Sequence, residues 1–184
     1  MKTYINKISA AILTISDRSS QGIRQDRSGP ALTQVLIEQG WSIKLTLIVP
    51  DDLQIIKSTL LSWCEDYSPD LILTTGGTGF AQRDITPEAT LSVIQRSAPG
   101  LSEVMRQQSL NITPHAMLSR GISGIRQTTL IVNLPGSPRA AVENLNFILP
   151  VLPHAADLLK GSPTAESGHH PSSTHNTPMP PHII

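Results

Sequence analysis

The chain has 184 residues, with 14 basic and 14 acidic side chains and a formal charge of zero; that length supports one domain with a core of its own. The charge balance argues against a general nucleic-acid binder, and an aromatic content of 3% leaves few platforms for stacking single-stranded RNA. Cys64 is the only cysteine, which excludes an internal disulfide and fits a reducing compartment. No apolar run reaches the roughly 18 to 20 residues of a membrane span, so a cytoplasmic protein is expected.

Apolar runs of strand length alternate with helical patterns along the chain. Ile8–Ile15 reads as a buried first strand and not as a leader, because the run ends in Ser16, Asp17 and Arg18 without a cleavage pattern. Gly29–Gln39 reads as a helix ending at Gly40, and Ile43–Val49 as a second strand. Leu53–Trp63 carries apolar residues at helical spacing behind Asp51 and Asp52, either of which can cap it; Cys64, in the same amphipathic stretch, reads as a small core residue. Leu71–Thr75 is a third strand. Pro87–Arg96 is a helix with Thr86 as cap and Pro87 in first position, and Leu101–Leu110 is another. Thr129–Asn133 is a fourth strand, followed by a helix from Ser137 or Pro138 that Pro150 and Pro153 should kink or restart. Strands alternating with helices predict a three-layer α/β fold, a mostly parallel sheet with helices on both faces. From Ser162 the composition turns to SPTAESGHHPSSTHNTPMPPHII, a Pro/Ser/His-rich tail expected to be disordered. Its four histidines fit no defined zinc spacing.

In an open parallel sheet, ligands bind beyond the carboxyl ends of the strands. Here those ends are polar or flexible: Ser16-Asp17-Arg18 with Asp26, Ser28 and Gly29 after it, Pro50-Asp51-Asp52, Gly76-Gly77-Thr78-Gly79 with Arg83-Asp84, and Asn133 to Pro138. Glycines at 76, 77 and 79 free successive N–H groups to form a concave nest for phosphate oxygens, and Thr78 adds a hydroxyl. Asp84, and Asp51 as a second carboxylate, suit a magnesium ion held beside those phosphates. Helix capping is the competing reading for Asp51, Asp52, Thr86 and Ser137, and a salt bridge is the competing reading for Arg83. The loop is neither a Walker loop nor G-x-G-x-x-G, so its spacing alone is a weak signal.

Taken together and in this order, SDR with DRSGP, VPDD, LILTTGGTGF with RDITPEAT, SLNITPHAMLSRGISGIR and LIVNLPGSP resemble the molybdopterin adenylyltransferases. These are the MogA/MoaB group of molybdenum cofactor biosynthesis, related to the G domain of gephyrin. The resemblance runs from about Ile8 to Gly161 and assigns residues 1–161 to a MogA/MoaB-like molybdopterin-binding domain, leaving 162–184 as the tail.

The resemblance implies a homotrimer that transfers AMP from Mg-ATP to the molybdopterin phosphate and releases pyrophosphate. ATP and molybdopterin are then substrates, Mg2+ is the cofactor, and the product passes to a molybdate-insertion protein. Carried over by motif, Asp51 and Asp84 are the catalytic acids, which would also hold magnesium, and Gly76, Gly77, Thr78 and Gly79 form the nucleotide-phosphate loop. Ser109, Ser119, Pro135, Gly136 and Ser137 are the molybdopterin-side residues. Arg120 and Arg126 fall in a polar segment and are candidate phosphate ligands, with a surface role the competing reading for Arg126. The alternatives are a molybdopterin-binding protein without catalysis and a nucleotide pyrophosphatase of the related competence/damage-inducible family.

Overall fold

Strand β1 (Ser9–Ile15) sends alternate side chains into two separate cores. The computed structural model describes residues 8–162, so the tail expected beyond Ser162 lies outside the described residues. Ala10 and Ile12 face helices α2 (Ser28–Glu38), α5 (Pro99–Leu110), α6 (Pro138–Ile148) and α7 (Leu152–Leu159). Ala11, Leu13 and Ile15 face α3 (Leu53–Ser62) and α4 (Thr86–Leu91). Burial on both faces explains why β1 and β3 (Leu71–Thr75) read as continuous apolar runs and not as alternating ones. Each fully buried Leu or Ile, such as Leu13 or Ile72, contributes roughly 1.5–3 kcal/mol by removal from water.

The sheet has six strands in the order β2-β1-β3-β6-β5-β4, with β2 at Ser42–Val49 and β6 at Thr129–Leu134. Strands β2, β1, β3 and β6 run parallel. At the other edge β5 (Ser123–Arg126) runs antiparallel to β6, and β4 (Arg96–Ser97) runs antiparallel to β5 in turn. The three-layer, mostly parallel fold expected from the sequence is present. These two strands are not legible in the sequence, since one has only two residues and the other contains a glycine. The helix expected over Pro87–Arg96 stops at Leu91, because the chain must turn and lay Arg96 and Ser97 against β5. After Ile148 the chain makes a short 3-10 turn at Leu149–Val151 and restarts as α7, as Pro150 and Pro153 require.

The order places the topological switch between β1 and β3, because β2 lies on one side of β1 and the next strand of the chain on the other. Crevices for ligands open at such points, beyond the strand carboxyl ends. Those ends are Ile15 and Thr75, and the glycine loop follows Thr75 directly.

Candidate functional site

Gly76 and Gly77 both have left-handed φ, +106° and +61°, and neither has room for a side chain. A Cβ on Gly76 would lie 2.2 Å from the carbonyl oxygen of Ile15; one on Gly77 would lie 2.4 Å from Thr86 Oγ1 and 3.2 Å from Asp51 Oδ1. A third close approach comes from the loop after β6, where a Cβ on Gly136 would sit 3.1 Å from Gly76 Cα. The glycines therefore let three strand ends meet at the switch point. Thr75 Oγ1 donates to Pro135 O at 2.7 Å, and Asn133 Nδ2 donates to Thr74 and Thr90 hydroxyls, both at 2.9 Å, which fixes the same junction.

Helix capping, the competing reading for several residues, holds for Asp52 alone. Its carboxylate accepts from the N–H groups of Gln54 and Ile55. Thr86, expected as a cap, instead donates its hydroxyl to Gly76 O at 2.8 Å, while its N–H bonds Gly77 O at 3.0 Å. Ser137 precedes α6 but makes no side-chain capping bond. Asp51 Oδ2 accepts from the N–H of Asp17 at 2.8 Å, and Asp17 Oδ1 accepts from the N–H of Asp51 at 3.1 Å. Arg83 pairs with neither Asp84 nor a phosphate-sized gap but with Asp17, at 2.7 Å and largely exposed.

Two cavities meet at this junction. The larger, about 930 Å3, is polar and opens over the ends of β1 and β3. Asp17, Asp51, Asp84, Gly76, Gly77 and Ser137 line it, together with the guanidinium side chains of Arg18, Arg24, Arg27 and Arg83. Asp26 reaches it too, but its carboxylate is taken by Thr14 Oγ1 and by the N–H groups of Ser28 and Gly29 that open α2. The second cavity, about 430 Å3, is lined by Thr78, Gly79, Ser109, Ser119, Pro135 and apolar side chains such as Ile112 and Leu118. Gly77, Asp84 and Gly136 line both and form the wall between them.

The expected site residues are thus divided. Gly76, Asp51 and Ser137 face the polar cavity; Thr78, Gly79, Ser109, Ser119 and Pro135 face the other. Ser137, grouped by motif with Ser109 and Ser119, lies on the opposite side of the wall from them. Among the described residues, the N–H groups of Gly77, Thr78 and Gly79 have no protein acceptor, whereas that of Gly76 bonds Leu134 O at 3.2 Å. The free nest is therefore one residue shorter than the glycine pattern suggests.

Neither candidate arginine of the 120–126 segment lines either of these two cavities. Arg126 donates to Glu65 at 2.6 Å and to Val93 O at 3.0 Å, away from the site. Arg120 is spent on the glycine loop and Glu88. Beside Arg83, the arginines that line the polar cavity, Arg18, Arg24 and Arg27, come from the 18–27 segment, where the sequence reading weighed Arg18, Asp26, Ser28 and Gly29. Three arginines in that segment, directly after a strand end, were the available signal. On the other side, Arg106, His115 and Asn144 line the smaller cavity; the sequence reading singles out none of them, although His115 lies within the SLNITPHAMLSRGISGIR segment.

Burial raises the pKa of Asp51 above its ordinary value, and the nearby carboxylates of Asp17 and Asp84 add to the rise; the Asp17 N–H and Arg83 oppose it. A carboxylate in that position is short of positive charge. Asp51 and Asp84 offer the hard oxygen ligands that magnesium takes. Among the described residues no group of three or more His, Cys, Asp or Glu side chains is arranged to hold a metal, so nucleotide oxygens would have to complete the shell.

Residues 11–154 match the MoCF_biosynth family model, the probable molybdopterin binding domain. The chain is 45% identical over 157 residues to a molybdopterin adenylyltransferase of Helicobacter pylori, covering 84% of this chain and 89% of that protein. It is 46% identical over 162 residues to gephyrin of Dictyostelium discoideum, covering 83% of this chain but only 22% of that longer protein. The crystal structure of the molybdopterin biosynthesis enzyme MoaB from Thermus thermophilus superposes with a TM-score of 0.80 at 48% identity, covering 85% of this chain and 98% of that one. CinA of Thermoplasma acidophilum, at 17% identity, a TM-score of 0.60 and coverage of 80% and 99%, shares the fold alone. With the family model spanning most of the described chain and close relatives matched over nearly their whole length, the chain belongs to the MoCF_biosynth family.

Proposed function

We propose that this protein is a molybdopterin adenylyltransferase, which transfers AMP from Mg-ATP to the terminal phosphate of molybdopterin and releases pyrophosphate. The observation that carries the reading is the shared wall: a polar, arginine-lined cavity and a smaller, more apolar one are separated only by Gly77, Asp84 and Gly136. A transferase that moves a nucleotidyl group between two bound substrates requires two adjoining basins with the reacting atoms at their seam. The polar cavity suits the triphosphate, and the other suits the pterin, with Ser109 and Ser119 as hydroxyl donors.

In the reaction an oxygen of the molybdopterin phosphate attacks the α-phosphorus of ATP, forming the new P–O bond as the bond to pyrophosphate breaks. The protein supplies no nucleophile. The free amides of Gly77, at the seam, and of Thr78 and Gly79, which follow it along the smaller cavity, can take charge from the phosphoryl oxygens. Arg18, Arg24 and Arg27 would hold the departing pyrophosphate end. Asp51 and Asp84 would hold magnesium, whose chemistry is to neutralise the phosphate charge.

A homotrimer in the cytoplasm, handing its product to a molybdate-insertion protein, completes the proposal; no helix among the described residues is long and apolar enough to cross a membrane. Incubating the purified chain with molybdopterin, ATP and magnesium tests it. Adenylylated molybdopterin and pyrophosphate should appear in equal amounts. Consumption of ATP without pterin would instead identify a pyrophosphatase, and pterin binding without ATP consumption a carrier.

A further inference from the structure

Arg120 follows Ser119 in the chain, yet it opens into neither substrate cavity. Its donors turn toward the loop instead. Nε donates to Gly79 O at 2.7 Å, Nη2 donates to Asp84 O, and Nη1 pairs with the Glu88 carboxylate. Its main-chain N–H also bonds Thr78 O at 2.9 Å. One residue therefore grips the 78–84 loop at three carbonyls and ties it to α4 through Glu88. The guanidinium acts on the Asp84 main chain and leaves its carboxylate free, apart from the bond from Ala81 N–H at 2.9 Å.

The residue before Arg120 reaches the second cavity. Ser119 lines that cavity, and Arg106, which lines it too, donates to Gly121 O at 2.8 Å. The segment 119–121 is thus bonded at one end to the proposed nucleotide loop and at the other to the proposed pterin wall.

We propose that Arg120 is a positioning residue for AMP transfer: it holds Asp84 and the free amides of the glycine loop in register with the wall that carries Ser119. The assignment rests on the adenylyltransferase reading for its catalytic consequence, but not for its structural one. A planar fork can bond two carbonyls and a carboxylate at once, whereas a lysine is a single point charge and cannot. Displacing reacting groups by about 1 Å costs on the order of a hundredfold in rate, so loss of this grip should appear in kcat.

The test uses Arg120→Lys and Arg120→Ala, with Arg120→Lys retaining the charge where the alanine variant unfolds. Amide exchange of the hydrogen-bonded loop N–H groups of Ala81, Asp84 and Thr86 should speed at least tenfold in the lysine variant, while amides of β1 and β3 stay protected. The kcat for AMP transfer should fall on the order of a hundredfold, with both KM values changed less than threefold. In the double variant Asp84→Asn/Arg120→Lys, the loss should not exceed that of Asp84→Asn alone by more than threefold, because both act through one group. Unchanged exchange at Ala81, Asp84 and Thr86 overturns the proposal. So does a raised KM for molybdopterin at unchanged kcat, which would make Arg120 a ligand contact. If the unaltered chain transfers no AMP, the adenylyltransferase reading fails by itself, and the exchange measurement still decides whether Arg120 holds the loop.

Discussion

Asp17 and Asp51 clasp each other across the ends of β1 and β2: the main-chain N–H of each donates to the carboxylate of the other, at 2.8 and 3.1 Å. The clasp holds two acids side by side, with Asp84 close enough to add to the repulsion. Arg83, 2.7 Å from Asp17, offsets part of that repulsion at Asp51, and the proposed magnesium would offset more.

A prediction about Asp51 follows with a definite sign. Its folded-state pKa lies above the ordinary 3.8, so the folded chain holds that proton more tightly than the unfolded chain does. The Asp51 contribution to stability is therefore fullest below pH 3.8 and is lost as pH rises through the raised value. Asp51→Asn keeps an acceptor for the Asp17 N–H and removes the charge. At pH 7 without ligand it should unfold at the same denaturant concentration as the parent or a higher one, and the gap should close on acidification. AMP transfer should nevertheless fall on the order of a hundredfold or more, as loss of one electrostatic contact commonly costs about 2.7–4 kcal/mol. In the parent, transfer should decline as pH drops through the raised pKa. Full activity of Asp51→Asn at limiting magnesium would show that the carboxylate serves only the clasp.

The two left-handed glycines should respond differently. At Gly76 the obstacle to a Cβ is the backbone carbonyl of Ile15, which belongs to a central strand and cannot withdraw. Gly76→Ala should therefore lose most of the fold's stability. At Gly77 the obstacles are the side chains of Thr86 and Asp51, which can shift. Gly77→Ala should remain folded, weakened by about 1–2 kcal/mol for the left-handed backbone, with nucleotide affinity lost as Asp51 is pushed aside. Denaturant unfolding with nucleotide titration distinguishes them; a stable Gly76→Ala would contradict the close approach.

Asn133 is a buried amide whose three bonds join β6 to its surroundings: Nδ2 donates to Thr74 and Thr90, and Oδ1 accepts from Ile122 N–H at 3.3 Å. Leucine has a similar size but pairs with none of them. Unpaired buried polar groups cost about 1–3 kcal/mol each, so Asn133→Leu should destabilise the chain by roughly 3 kcal/mol or more. A change below about 1 kcal/mol in urea unfolding would mean that water replaces the amide.

Much of this arrangement was legible in the sequence, and the reasons differ by residue. Leu71–Thr75 announced itself as a strand because burial on both faces leaves it apolar throughout. Gly76, Gly77 and Gly79 marked the loop because only glycine fits there, although the pattern could not reveal that Gly76 spends its N–H on Leu134. Thr86 looked like a cap because caps are local, whereas its true partner, Gly76 O, is ten residues away along the chain. Arg120 looked like a phosphate ligand for the same reason: charge is visible in a sequence, but the carbonyls of Gly79 and Asp84 that consume it are not. The division into two cavities, with Ser137 on the far side from Ser119, depends on contacts between strand ends that no single segment encodes.

Ser109 and Ser119 provide the test of that division. Both line the smaller cavity; Ser109 Oγ makes only a long bond of 3.4 Å to Asn144 Oδ1, and Ser119 Oγ has no protein partner among the described residues. Their hydroxyls are therefore available to a ligand at little cost to the fold. A hydrogen bond to a charged group is worth about 1.5–3 kcal/mol, so either Ser109→Ala or Ser119→Ala should raise KM for molybdopterin on the order of tenfold or more. The wall of Gly77, Asp84 and Gly136 separates both from the polar cavity, so KM for ATP and binding of Mg-nucleotide should stay unchanged. Melting temperatures should match the parent. A rise in both KM values would mean that one substrate spans the wall, and a rise in the KM for ATP alone would exchange the two cavities.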